Sequence, residues 1–185
     1  MIEVKISGRG GQGAVLASQI LATALFKKGL SVQAFPSFGA ERRGAPVSAF
    51  MRSDSEEITL RCGIQHPDWI ILFDPQLLEN PLIMGGATEN TSILLNASKD
   101  LSFFDISGFK KTFRVDATAI AEGLNLKTTS FSIVNTAMIG AFARASNLID
   151  IDAIAAATRD LAPIKKQENV AAAETAYGRI KEVLR

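Results

Sequence analysis

Apolar residues in this chain fall in short runs divided by turn-forming residues, and the spacing within the runs changes along the sequence. Residues 2–7 read as a short apolar strand. From about 13 to 28 the spacing becomes helical until Gly29 ends it, and 31–35 reads as a second strand. This is a Rossmann-like βαβ opening. Val47, Ala49 and Met51 then alternate with Ser48, Phe50 and Arg52, a turn follows at Ser53-Asp54-Ser55-Glu56, and Ile58, Leu60 and Cys62 alternate with Thr59 and Arg61. That pattern predicts a hairpin, which makes the sheet mixed, because tight turns join antiparallel strands.

The continuous apolar run Trp69–Phe73 predicts a central strand covered on both faces, and Asp74-Pro75 supplies a cap and a first residue for a short helix to Leu78. Asp74, at the strand's carboxyl end, fits either a cap or a ligand contact. Further strands are expected at 91–95 and 112–115, with no assignment for 98–111. Asp116 can cap a helix over 117–122 that Gly123 closes, and Asn135 can cap an apolar helix to about Ala145 or make a polar contact near a substrate channel. The last helices occupy about 151–160 and 164–184. In the final one Val170, Ala173, Tyr177, Ile180 and Leu184 form one stripe, suited to the domain's own sheet or to a partner subunit. The expected architecture is one α/β domain over residues 1–185, three-layered α/β/α, with a mixed, mostly parallel sheet.

The chemistry concentrates in two loops. The first strand runs into Gly8-Arg9-Gly10-Gly11-Gln12-Gly13, four glycines in six positions. Glycine permits positive φ and close backbone approach, and a helix opening there aims free N–H groups and its positive dipole end at one spot, which favours an anion. Gly8, Gly10 and Gly13 also match the G-x-G-x-x-G dinucleotide fingerprint. That fingerprint needs an acid at the end of the second strand, where this chain has Phe35-Pro36, and the first acid after it is Glu41. The second loop, residues 35–46, contains Glu41, Arg42 and Arg43 among prolines and glycines. The arginines can fork onto phosphate or carboxylate oxygens, with Glu41 orienting one of them.

Gly-Arg-Gly-Gly-Gln-Gly at 8–13, followed by Phe-Gly-Ala-Glu-Arg-Arg-Gly-Ala-Pro-Val at 38–47, resembles the gamma subunit of 2-oxoacid:ferredoxin oxidoreductases, the pyruvate and 2-oxoisovalerate enzymes above all. The resemblance extends to Pro67–Ile71 and Asn135–Gly140. It implies a cytoplasmic complex with alpha, beta and delta subunits, which turns a 2-oxoacid, coenzyme A and oxidised ferredoxin into acyl-CoA, CO2 and reduced ferredoxin. Thiamine diphosphate, Mg and iron–sulfur clusters would reside in the partner subunits, and this chain would bind no cofactor by itself. Its part would be to help hold CoA, a co-substrate, and to assemble the complex. Gly8 to Gly13 with Glu41, Arg42 and Arg43 would then be the binding residues, with no catalytic or metal residue.

Composition narrows the alternatives. Twenty Lys and Arg against 19 Asp and Glu leave no basic surplus for nucleic acid. No apolar run approaches the roughly 18 residues of a membrane span. One Cys and one His, Cys62 and His66, cannot by themselves complete a cluster or zinc sphere, and they leave little for independent acid–base catalysis. Two other classes stay open: a stand-alone dinucleotide-binding oxidoreductase and a purely structural assembly subunit.

Overall fold

The computed structural model describes residues 1–37, 45–98, 101 and 104–183. A seven-stranded sheet forms the centre, with strands β1 (Ile2–Arg9), β2 (Ser31–Pro36), β3 (Pro46–Asp54), β4 (Trp69–Leu72), β5 (Ser92–Asn96), β6 (Lys111–Val115) and β7 (Lys181–Glu182) in the order β2-β3-β1-β4-β5-β6-β7. Strands β1, β4, β5 and β6 are parallel, whereas β3 is antiparallel to both β1 and β2, and β7 is antiparallel to β6. The sheet is mixed around a parallel core, as expected, but the antiparallel pairs are those of β3 with β1 and β2 and of β7 with β6 rather than the hairpin that the residue pattern suggested.

One face carries a large aliphatic core. Val4, Ile6, Met51, Ile71, Leu94 and Val115 pack there against helices α1 (Ala14–Lys27), α3 (Ala117–Gly123), α4 (Asn135–Ser146), α5 (Ile151–Leu161) and α6 (Lys166–Arg179). The other face is covered over β4 and β5 by a 3-10 turn (Pro75–Glu79), the short helix α2 (Pro81–Met84) and the segment holding Leu101, Phe104 and Ile106. Asp74 Oδ1 accepts from Gln76 N at 3.0 Å, so it does cap the 3-10 turn. Asp116 and Asp150 cap α3 and α5 in the same way.

The expected hairpin does not form. Both edges of β3 are taken, by β1 on one side and β2 on the other, so no ladder remains for a strand returning over 58–62. Side chains hold that segment instead: Gln33 Nε2 donates to the carbonyls of Ile58 and Leu60 at 3.3 and 3.2 Å, and Arg52 Nη2 donates to that of Cys62 at 3.1 Å. The insertion of β3 also places β2 one position away from β1, although the two run in the same direction.

Two helix ends differ from the residue pattern. Val134 occupies the cap position of α4, so Asn135 is its first residue rather than its cap. Helix α6 stops at Arg179, and the chain extends to pair with β6 through Val183 N to Thr112 O at 2.8 Å, because the outer edge of β6 offers unpaired backbone groups. The stripe on α6 packs within this chain, against helices rather than the sheet. Val170 and Ala173 are buried, and Tyr177 lies under the Arg144 guanidinium at 5.4 Å. Leu184 lies outside the described residues.

Helices α4 and α6 approach closely at Gly140, where an added Cβ would stand 2.1 Å from the Ala173 carbonyl oxygen. In Gly140→Ala the helix-propensity gain of about 0.5–1 kcal/mol is outweighed by overpacking of about 1–3 kcal/mol. The expected outcome is a lower urea midpoint with an unchanged m value. Ion pairs from Lys27 to Asp160 and from Lys28 to Asp150 tie α1 to α5, and hydrogen bonding to these lysines holds both carboxyls below the ordinary 3.8. A carboxyl with a depressed folded pKa contributes stability above its unfolded value and loses it as pH falls through the folded value. Lys27→Met/Lys28→Met should therefore flatten the dependence of melting temperature on pH below 3.8, leaving little change in that dependence near neutrality.

Candidate anion-binding site at the glycine turn

Strands β1 and β4 are parallel neighbours whose following segments leave for opposite faces. Helix α1 packs with Val4 and Ile6, whereas the 3-10 turn and α2 pack with Ile70 and Leu72. Open α/β sheets bind ligands at the carboxyl ends of strands where the connections diverge in this way. The glycine turn occupies that place.

The turn is fixed from inside and outside. Arg9 N donates to Gln12 Oε1 at 2.6 Å, Gln12 N to Arg9 O at 3.0 Å, and Gly10 N to Ala45 O at 3.0 Å, which ties the turn to the start of β3. At Gly8 an added Cβ would meet Gln12 Oε1 at 2.9 Å and the Phe73 side chain at 3.1 Å, so β1 passes β4 with no room for a methyl group. Gly13 caps α1 with φ +88°, and an added Cβ there would lie 2.5 Å from Asn135 Nδ2.

That last contact brings two helices to one point. Asn135, 1% exposed, is the first residue of α4, and its Oδ1 accepts from Thr136 N at 2.8 Å. The N-termini of α1 and α4 therefore adjoin at Gly13, and neither has an acid in its first turn. The α1 terminus has no side-chain cap, so among the described residues its leading amides have no side-chain acceptor. Each helix end acts as roughly half a positive charge, and together with free amides they favour an anion. Phe131 stands beside the turn, 3.5 Å from where a Cβ of Gly11 would sit, and gives the site an aromatic wall.

Arg9 is less available than its position in the turn implied. Its Nε donates to Asp74 Oδ2 at 2.7 Å and its Nη2 to Gln76 Oε1 at 3.5 Å. Asp74 thus serves both as a cap and as an ion-pair partner, and Arg9 locks the end of β1 to the turn after β4. An anion arriving here meets backbone donors and a neutralised arginine. Glu41, Arg42 and Arg43 lie outside the described residues.

The six residues Gly8 to Gly13 lie in one turn between β1 and α1. Asn135, which the sequence offered as a cap or a polar contact near a substrate channel, joins them through a contact between helix termini, and Phe131 had no signal at all. Cys62 is a free, exposed cysteine, and among the described residues no group of three or more His, Cys, Asp or Glu could hold a metal ion. The dinucleotide fingerprint fails structurally as well. With β3 inserted, the end of β2 is a strand further from the turn than the fingerprint needs, and its last residue is Pro36.

The model of the family described as pyruvate ferredoxin/flavodoxin oxidoreductase matches residues 3–179. Pyruvate synthase subunit PorC of Methanocaldococcus jannaschii is 47% identical over 178 residues, covering 96% of each chain. The pyruvate/ketoisovalerate oxidoreductases common subunit gamma of Pyrococcus abyssi is 44% identical over 86% of each. Among solved structures, pyruvate oxidoreductase subunit PORC of Thermotoga maritima superimposes with a TM-score of 0.82 at 34% identity, covering 99% of this chain and 98% of that one. The fold also recurs, at 19% identity and a TM-score of 0.72, in a 2-oxoglutarate:ferredoxin oxidoreductase from Magnetococcus marinus solved with 2-oxoglutarate, coenzyme A and succinyl-CoA; 96% of this chain and 30% of that one are covered. The near full-length match, with its glycine turn at the junction of β1 and α1, places this chain in the pyruvate/ketoisovalerate ferredoxin oxidoreductase family as a gamma subunit.

Proposed function

We propose that this chain serves a cytoplasmic complex that carries out the CoA-dependent oxidative decarboxylation of pyruvate or a related 2-oxoacid, and that its glycine turn holds an anionic part of coenzyme A. The observation that carries the reading is the meeting of two acid-free helix N-termini at Gly13, where added side chains have no space. A phosphate or pyrophosphate accepts several N–H bonds at once and gains from both dipoles, and Phe131 offers apolar surface beside it. Arg42 and Arg43, with Glu41 orienting one guanidinium, add the positive charge that the pairing of Arg9 with Asp74 withholds.

Within this reading the chain performs no proton transfer and holds no metal. Gln12 and Ala45 keep the turn in shape, and the Arg9–Asp74 pair joins the ends of two parallel strands, so the donors are positioned before the ligand arrives. Preorganisation of this kind lowers the cost of ordering on binding. Thiamine diphosphate with Mg and the iron–sulfur clusters belong to the companion alpha, beta and delta subunits, which supply carbanion and electron-transfer chemistry, and ferredoxin is reached through the complex. The solved complex of the Magnetococcus relative contains coenzyme A, which supports CoA as the ligand class.

The test is CoA binding to the assembled complex by titration calorimetry. In Gly13→Ala, a positive φ costs an L-residue roughly 1–2 kcal/mol and the new Cβ displaces Asn135, so the dissociation constant should rise about tenfold or more. Arg42→Gln/Arg43→Gln should weaken CoA binding by a similar factor. Unchanged CoA affinity in both variants, with normal assembly, would remove the CoA role. Normal CoA affinity with impaired assembly would favour a structural subunit instead.

A further inference from the structure

A cavity of about 470 Å³ opens on the sheet face away from α1, between β3 and α2. Its base is polar. Lys5 is 8% exposed, and the Ser48 hydroxyl shares a 2.7 Å hydrogen bond with that of the fully buried Ser7. Its sides are apolar, formed by Pro46, Val47, Phe50 and Ile83, and at the rim Leu82 is 85% exposed.

Lys5 is under-partnered for its burial. An ammonium has three donors; Nζ gives one to the Leu82 carbonyl at 3.3 Å and lies 5.9 Å over the Phe50 ring. Among the described residues no carboxylate reaches it, and desolvation pushes its pKa below the usual lysine value. Arg52, two residues along the face from Phe50, shows the contrast. It is 1% exposed but faces Glu3 Oε1 at 3.0 Å, besides Gln33 and the Cys62 carbonyl. A buried charge without an opposite charge is unfavourable, and a carboxylate in the cavity would relieve it.

We infer that this cavity is a socket for another polypeptide of the complex, entered by a carboxylate side chain with apolar neighbours. The carboxylate accepts from Lys5 and Ser48 at the base, while the adjoining residues cover Phe50 and Leu82. A small free acid would fill the base but leave Leu82 wet, and a purely apolar segment would leave the ammonium unanswered. Membership of a multi-subunit family supplies the partner. The cavity adjoins the glycine turn at Ala45, whose carbonyl accepts from Gly10 N, but the inference rests on Lys5 and Leu82 and not on CoA binding at the turn.

The experiment follows dissociation of the assembled complex on dilution by mass photometry, with CoA affinity measured in parallel. Lys5→Met should weaken assembly about tenfold or more and Lys5→Arg much less. The isolated Lys5→Met chain should melt at the same temperature or higher, since it loses an uncompensated charge. Leu82 is too exposed for substitution to disturb folding, so Leu82→Asp, which loses the apolar contact and adds like-charge repulsion, should weaken assembly strongly, and Leu82→Lys, which loses the contact alone, markedly less. CoA affinity should stay constant throughout, which separates failure here from failure at the glycine turn. Wild-type assembly of Lys5→Met and Leu82→Asp would overturn the inference, as would a drop in the melting temperature of isolated Lys5→Met. Saturable stabilisation by isovalerate, with assembly unaffected by the variants, would assign the cavity to a free acid and overturn it too.

Discussion

The space between Phe73 and Asn135 is the constraint on which the site rests. Strand β1 must leave the sheet there, and the chain threads the gap with glycine at both tight positions: Gly8 against Phe73 and Gly13 against Asn135. Because the backbone fits without side chains, α1 and α4 begin side by side, and Arg9 reaches the turn after β4 to close the sheet's end. Two positive helix ends placed together repel, at about half a charge each. Burial of Ala17, Ile20, Leu21 and Leu25 on α1, and of Ala137, Met138, Ala141 and Phe142 on α4, holds them in place. The aliphatic core thus imposes an electrostatic arrangement that an anion completes.

The two faces of the sheet divide the work. On the helical face, Trp69 stacks on Phe113 at 5.8 Å and meets Phe142 edge-on at 5.2 Å, and small residues let α6 approach α4. On the other face the half made by β2, β3 and β1 carries Arg52, Lys5, Ser7 and Ser48 rather than a second aliphatic layer. Arg52 uses its planar fork to engage several acceptors at once and so anchors 58–62 without a ladder. Among the described residues Lys5, a point charge on a flexible stem, has only a carbonyl and a ring face. The two cations differ in counter-charge: Arg52 faces the Glu3 carboxylate, although its buried Nε has no hydrogen-bond partner, whereas among the described residues no carboxylate reaches Lys5.

Much was legible from local pattern because the responsible forces are local. The strand at 69–72, the Asp74 and Asp116 caps and the glycine ending of α1 depend on residues within a turn or two of each other, or on a short run of one period. The glycine turn stood out in the same way, since four glycines between a strand and a helix leave few other readings.

What tertiary structure alone decided depends on which edges and ends were already occupied. The alternation at 58–62 is that of a strand, but β1 and β2 fill both edges of β3 and the segment is left to side-chain anchors. The stripe on α6 reads as a helix past 180 that packs on the sheet or on a partner subunit, yet the open edge of β6 draws the chain into β7. Asn135 carries the pattern of a cap and becomes instead a buried wall of the glycine turn, across a gap of more than a hundred residues. Local sequence specified the turn and its donors; the pairing order of strands and the packing of helices determined which distant residues surround them, because burial and edge satisfaction are properties of the whole sheet.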